Sequence, residues 1–503
     1  MKTFRHWLAG TLTVAAVAAL GGGAPMAQTL TVANSAPAPA LGLPSVTNRQ
    51  TLYIMNALYD PLTEVDGSGE ALPRLAQSWA VTADPTVWRF KLRPGVTFHD
   101  GSKMNADSIV AMVDYLASDE GRGVFTVVSR NIASVAGAQK VDDLTVDIMT
   151  KTPDAILPNV IASLYIIDMA SYNDMGREKF SRAPVGTGSF RATAWSENEV
   201  ALERYAAAFR PAKLDNLRIL TMPELASRVQ ALASGQVDVA LTLDKDDREA
   251  VESSGGSIFT EFAPSVNVIM LDMVKDGPLK DKRVRQALNY GLDKTFVPAL
   301  HGETARLGGQ PAARTARGYQ ADIAPYPYDP AKAKALLAEA GYPDGFKMIG
   351  EIQGNLSGKA TYEYVANNLR NIGVELELRV ITVSDLIARI NGAKPFAGDV
   401  FGMNFGSAPI GDMMRSINSY HSCDHKPTWT CIPEIEPAIK AVNAEFDPVK
   451  RAAGLRQIAL AYHENAPAIW LEETVSFHGV AKQVQGFRSE NFLIPYNEIS
   501  RAK

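Results

Sequence analysis

The chain is poor in cysteine: Cys423 and Cys431 are the only two in 503 residues, and both fall in the stretch HSCDHKPTWTC at 421–431. It has no large excess of one charge, since 50 basic side chains stand against 55 acidic ones for a formal net of -5. That excludes the strongly basic footprint by which proteins hold nucleic acid or anionic lipid. Beyond the N-terminal segment there is no apolar run approaching the roughly 20 residues that a membrane-spanning helix needs. The phosphate cradle G-x-x-x-x-G-K, the dinucleotide G-x-G-x-x-G, the elbow G-x-S-x-G and the zinc pair H-E-x-x-H are all missing. No constellation for nucleotide hydrolysis, dinucleotide redox chemistry, serine hydrolysis or zinc proteolysis is therefore readable. Nor is there a tandem repeat or low-complexity linker, so the length points to two or three domains joined without a flexible tether.

What is present begins with Lys2 and Arg5, an apolar stretch from Trp7 to Leu20, and small residues ending near Ala27. This layout predicts a cleaved secretory signal peptide over 1–27, because the apolar part is short and Gly21, Gly22 and Gly23 interrupt it. No cysteine follows it, which argues against a lipid anchor. An exported chain meets an oxidising compartment, where cysteines close in sequence usually pair. A Cys423–Cys431 disulfide would close a nine-residue loop and stabilise the fold by about 2–3 kcal/mol. Two rival uses remain open at this point: zinc bound with His421 and His425, or a cysteine nucleophile, which needs a reduced thiol and a base beside it.

Helix and strand signals alternate with short turns, as in an α/β protein. In VWRFKLRPG, Trp88, Phe90 and Leu92 alternate with charged residues, predicting a half-buried strand that stops at Pro94 and Gly95. In YDPAKAKALLAEAGYPDG, Asp329 is an N-cap, Pro330 opens the helix, and Gly341 lies just past its end. A second helix runs up to Gly373, followed by a strand with Val374, Leu376, Leu378 and Val380 on one face. The His463-Glu464 and His99-Asp100 pairs have no partners in sequence and read as structural. An exported, multi-domain α/β chain without a visible catalytic group suggests a binding protein.

The stretch NALYDPLTEVDGSGEALPRLAQSWAVTADPTVWRFKLRPGVTFHDGSKMNADSIV resembles the peptide/nickel/opine family of extracellular solute-binding proteins that serve ABC importers. So, in order, do RAPVGTGSFRATAW, ALASGQVDVAL, VNVIMLDMVKDGPLKDKRVRQALNYGLDK, YPYDPAKAKALLAEAGYPDGF and HENAPAIWLEE. The resemblance runs from about Thr29 to the end, and the block from Arg283 to Lys294 with the Asp329 helix after it is its most specific part. It implies a two-lobed periplasmic clamshell: lobe I with an extra subdomain over 28–264, lobe II over 265–485, and a return to lobe I over 486–503. The crossings between lobes are expected near EFAPSVNVIMLDM and SFHGVAKQVQGF. The resemblance also implies the Cys423–Cys431 pair, a monomer that captures a small-molecule ligand for an inner-membrane ABC permease, no cofactor or metal, and no turnover.

For the ligand, the informative stretch is FGMNFGSAPIGDMMRSINSY. Dipeptide-binding members of the resembled family place a carboxylate for the peptide ammonium after the aromatic residue and glycine. Here Met403, Asn404, Phe405 and Gly406 are followed by Ser407, and a hydroxyl does not compensate a buried ammonium. Asp412, five positions on, is the candidate substitute, with Tyr420 further along. The carboxylate-reading arginine has no counterpart in QGNLSGKATYE, which offers Lys359. Asn34 and Ser35, at the end of the first strand, supply neutral donors and acceptors. The expectation is a small peptide-like or opine-like solute. A nickel chelate is the alternative, and an exported enzyme or a chaperone are the rivals from other classes.

Overall fold

The computed structural model describes residues 27–36, 42–44, 49–353 and 356–502. The expected signal peptide, except Ala27, lies outside the described residues. Ten strands form one mixed sheet: β1 (Thr29–Asn34), β2 (Phe190–Trp195), β3 (Glu199–Arg204), β4 (Asn216–Thr221), β5 (Val239–Leu243), β6 (Ser257–Leu271), β7 (Phe346–Gln353), β8 (Val374–Ile381), β9 (Val400–Gly406) and β10 (Ala468–Val480). Their order across the sheet is β8-β7-β9-β6-β10-β5-β1-β4-β3-β2. β1 is buried almost throughout and runs parallel to β4 and β5, as a strand covered on both faces does.

The two longest strands join the lobes. On the first-lobe side, Ser257–Phe262 of β6 pair with Val475–Val480 of β10, which also pairs with β5. On the second-lobe side, Val266–Met270 pair with Ala468–Glu473, and the other edge of β6 carries β9 from Ser265↔Gly406 to Leu271↔Val400. Between these stretches the register slips, with Ala263, Pro264 and Ser265 set against Thr474 alone. Pro264 has no N–H to give a ladder, and a bulge is where a strand tolerates that. The slip at 263–265 opposite 474 marks the break in this pairing, and beyond it Phe477 and Val480 pair with β5.

Local signals in the sequence account for the surrounding elements. Strand Val87–Leu92 buries Trp88, Phe90 and Leu92 and exposes Arg89 and Lys91. It belongs to a separate four-stranded antiparallel sheet in the order Ala76–Val81, Val87–Leu92, Thr145–Thr150, Val135–Asp142. In the first lobe, α1 (Arg49–Leu58) buries eight of its ten residues. The second lobe adds α2 (Lys282–Tyr290), α3 (Pro330–Glu339), α4 (Leu356–Arg370), α5 (Met414–Tyr420) and α6 (Pro448–Asn465). Asp329 caps α3 by accepting from the Lys332 N–H at 2.9 Å, and Gly341 takes the left-handed φ of +92°. β8 keeps the expected alternation at its start, where Val374 and Leu376 are buried, and the same face opens towards its end, where Val380 is 60% exposed.

Cys423 and Cys431 form a disulfide with Cα atoms 4.3 Å apart, so neither sulfur is free for zinc or for nucleophilic attack. The neighbouring histidines pack. His421 is fully buried, accepts from Trp429 Nε1 at Nδ1 (3.4 Å), and therefore donates from Nε2 to the Asn404 carbonyl (3.3 Å). Burial pushes its pKa down to about 3. Burial also lowers that of His425, to about 4, with its ring 4.5 Å from that of Trp429. The loop thus braces the back of β9. Replacing both cysteines by serine is expected to cost about 2–3 kcal/mol, measured as a lower urea midpoint by the fluorescence of Trp429, which is buried against this loop.

Candidate ligand-binding site

A cavity of about 520 Å³ lies where β6 and β10 cross between the lobes. First-lobe side chains such as Arg49, Leu243 and Phe477 line it from one side, and second-lobe residues of β6, β9, β10 and α4 from the other. Strand periodicity decides which part of β9 reaches it. Gly402, Asn404 and Gly406 share the cavity face, and Met403 also contributes to the wall. Phe405 has the opposite parity. It is fully buried, with ring centroids 4.1 Å from His421 and 5.2 Å from Trp470, so it supports the wall without lining it.

Other residues expected at the site do not line the cavity, although the Ser407 hydroxyl has no hydrogen-bond partner among the described residues. Ser407 is buried, and its N–H donates to the Pro264 carbonyl at 2.8 Å; its neighbours Gly406 and Ala408 line the cavity. Asp412 is fully buried, with Oδ2 accepting from Arg451 Nη1 (2.8 Å) and Oδ1 from the Met414 N–H (2.9 Å). Its carboxylate is spent on an ion pair and the start of α5, so it does not replace the acid that position 407 lacks. Asn34 is likewise buried: Nδ2 donates to the Gln50 carbonyl (2.9 Å) and Oδ1 accepts from the Ala36 N–H (3.3 Å). That holds the turn containing Ser35 against α1, and neither residue lines the cavity. Tyr420 sits outside it too, accepting from Arg130 Nη1 (3.1 Å) with the Arg415 guanidinium 5.6 Å from its ring centroid. Burial opposes ionisation of this phenol, but the two guanidiniums outweigh it and draw its pKa below the ordinary value.

The charged groups of the wall come from residues that sequence pattern did not single out. Glu472 of β10 is 3% exposed, and its Oε1 accepts from Asn267 Nδ2 of β6 at 2.8 Å. His301 Nε2 lies 3.8 Å from the same oxygen and 3.1 Å from Thr361 Oγ1. Glu473 is held by Arg314, whose Nε is 3.3 Å from Oε1 and whose N–H is 3.3 Å from Oε2. Burial lifts both carboxyls above the ordinary range. The set also includes the first-lobe carboxylate Asp244 and two guanidiniums: Arg49, donating to Ser476 Oγ (3.1 Å), and Arg415, donating to the Gly406 carbonyl (2.9 Å). The only advance signals were adjacent glutamates in the apolar run AIWLEETVSF and a lone asparagine in VNVIML.

Gly402 carries a further constraint, since a Cβ there would meet the Tyr362 hydroxyl at 2.2 Å. Gly402→Ala is therefore expected to push the Tyr362 ring and narrow the cavity. Ligand affinity should fall at least about tenfold, about 1.4 kcal/mol, while the far-ultraviolet spectrum stays unchanged; calorimetric titration checks it. His99 and His463 are structural. His99 Nδ1 accepts from the Gly186 N–H (3.2 Å), and His463 stacks on Tyr326 with centroids 4.5 Å apart. Among the described residues no group of three or more His, Cys, Asp or Glu is placed to hold a metal ion, and no helix is long and apolar enough to cross a membrane.

Residues 70–426, more than half of the chain, match the model of bacterial extracellular solute-binding proteins, family 5 Middle. The glutathione-binding protein GsiB of Pectobacterium atrosepticum is 27% identical over 350 residues, covering 67% of this chain and 66% of that protein, just under two thirds of its length. Heme-binding protein A of Haemophilus influenzae is 28% identical over 482 residues, 86% of this chain and 85% of that protein. In fold, the chain is similar to the periplasmic binding protein DppA from Helicobacter pylori in complex with the peptide STSA. The TM-score is 0.79 and the identity 22%, over 94% of this chain and 98% of the other.

Proposed function

The chain belongs to the bacterial extracellular solute-binding proteins of family 5, and on that premise we propose that it is the periplasmic substrate-binding component of an ABC importer. It captures a small peptide-like or opine-like solute between its lobes and hands it to an inner-membrane permease. The observation that carries this reading is the cavity at the strand crossings, whose walls bring carboxylates and guanidiniums from both lobes to one space. Contacts divided between lobes favour the closed arrangement by as much as the ligand binds it better than the open one. The bulge at 263–265 is the natural place for the chain to bend. The basic, apolar and small-residue order of the first 27 residues supports export, and the protein acts as a monomer without turnover.

A nickel chelate is the second reading, favoured by His301, the imidazole of the cavity wall. Native mass spectrometry of the purified chain with di- to tetrapeptides, opine conjugates and nickel chelates separates them. The expected result is saturable one-to-one binding of a peptide or opine, recovered chemically unchanged. Cleavage of the ligand would indicate an enzyme, and binding of the chelate alone would favour nickel.

A further inference from the structure

Resting on the solute-binding reading, we propose that His421, which does not itself line the cavity, is a positioning residue for the ligand: it fixes the free edge of β9, and the Cys423–Cys431 loop fixes it in turn. The backbone of β9 creates the need. The Ser407 N–H donates to the Pro264 carbonyl of β6, and backbone groups along a strand alternate in direction. Those of Phe405 therefore face β6, and those of Asn404 and Gly406 face the other edge. On that edge β7 pairs with β9 at Gly350↔Val400 and Glu351↔Phe401 and, among the described residues, no further. From Gly402 to Gly406, where β9 forms the cavity wall, the strand thus has β6 as its neighbour on one side and no strand on the other.

Side chains stand in for the missing strand. His421 Nε2 donates to the Asn404 carbonyl at 3.3 Å, and Arg415 Nη1 donates to the Gly406 carbonyl at 2.9 Å. Both carbonyls belong to residues that line the cavity. A backbone carbonyl requires a donor, and a donor fixed in the core holds the stretch of wall that carries it. His421 is fully buried, and it donates from Nε2 because its Nδ1 accepts from Trp429 Nε1 at 3.4 Å. Burial drives the imidazole pKa down to about 3, which keeps this one neutral tautomer near pH 7. The ring also packs on Phe405, centroids 4.1 Å apart, and so steadies the residue between the two braced carbonyls.

The loop supplies the rigidity. Trp429 lies inside the ring closed by Cys423 and Cys431, and His421 stands just before that ring. The Trp429 carbonyl accepts from the Met273 N–H at 3.0 Å, and the Cys423 N–H donates to Glu436 Oε1 at 2.8 Å. Neither cysteine lines the cavity, and nor does Trp429. The disulfide therefore bears on the ligand through one chain of contacts, from loop to indole, from indole to imidazole, and from imidazole to the Asn404 carbonyl. Without the crosslink the indole donor is held less firmly, and the wall loosens with it.

Hydrogen exchange of the ligand-free protein, read by mass spectrometry, tests the brace, and equilibrium dialysis against a mixture of di- to tetrapeptides and opine conjugates tests its bearing on binding. In His421→Leu the amides of 400–407 are expected to exchange at least about tenfold faster relative to those of β1. The retained solutes should bind about five- to tenfold less tightly, the effect of one hydrogen bond. His421→Gln, whose side-chain amide can donate from the place of Nε2, should restore most of both. Trp429→Phe, which keeps a ring and lacks the donor, and the Cys423→Ser/Cys431→Ser variant should show the same two changes to a lesser degree. Unchanged exchange of 400–407 in His421→Leu, acceleration spread equally over β1, unchanged affinity, or no rescue by His421→Gln overturns the proposal and leaves the solute-binding reading standing. Retention of no solute by the parent contradicts that reading itself, and the positioning role falls with it.

Discussion

Asp412→Ala is expected to destabilise the protein by about 3–5 kcal/mol, because it strands a buried guanidinium. Asp412 is fully buried and Arg451 Nη1 lies 2.8 Å from its Oδ2, while Nε and Nη2 of the same arginine have no hydrogen-bond partner among the described residues. Taking two charges out of water is costly, and their attraction offsets the cost only while both are present. The alanine also removes the acceptor for the Met414 N–H at the start of α5. Arg451→Met added to Asp412→Ala should recover part of the loss, since no charge is then left alone. Urea unfolding of the two single variants and the double variant measures the coupling. Ligand affinity of folded Asp412→Asn should match the parent, because this carboxylate lies outside the cavity.

Glu261→Ala is the second large effect, again about 3–5 kcal/mol. This carboxylate, 2% exposed, accepts from Tyr53 Oη (2.7 Å), Ser489 Oγ (2.8 Å), the Phe492 N–H (2.9 Å) and His478 Nε2 (3.3 Å). His478 Nδ1 accepts from the Thr242 N–H, which places the ring proton on Nε2, towards Glu261. One side chain thereby ties β6 to α1, to β10 and to the segment after β10, next to the strand crossing. Burial alone would raise its pKa, but the bonds from His478, Tyr53 and Ser489 outweigh burial and hold it below the ordinary glutamate value. A folded-state pKa below the unfolded one stabilises at pH above the unfolded value, and the contribution is lost as pH falls through the folded value. The stability difference between the parent and Glu261→Gln should therefore shrink as the pH drops below about 4.5, and thermal unfolding from pH 6 to 3 checks it.

Local rules fixed much of the architecture from residue order alone. Alternation of Trp88, Phe90 and Leu92 gave a strand, and Asp329 and Gly341 bounded a helix, because these signals act within a few residues. The break between β6 and β10 was half legible: FAPSV carried its proline at the bulge, but its other side depends on which residues of β10 pair with β5, a long-range matter. The site was legible only as a neighbourhood. Five consecutive residues, Met403 to Ser407, were expected at the ligand, and the pleat turns Phe405 the other way. Asp412 was a reasonable acid to propose until Arg451, 39 positions on, is brought beside it. Which of the adjacent glutamates Glu472 and Glu473 keeps an unpartnered oxygen depends on Arg314, and nothing local reports that.

The central claim is that a solute fills the cavity between the lobes. Thermal unfolding of the parent and of Gly402→Ala, each against free-amine peptides, opine conjugates and nickel chelates, tests it most directly. A ligand at about 100 times its dissociation constant should stabilise the parent by about 2.7 kcal/mol, and the same concentration should stabilise Gly402→Ala less. An unfolding transition of the parent that no member of the panel moves, or one moved equally in both proteins, would contradict the account.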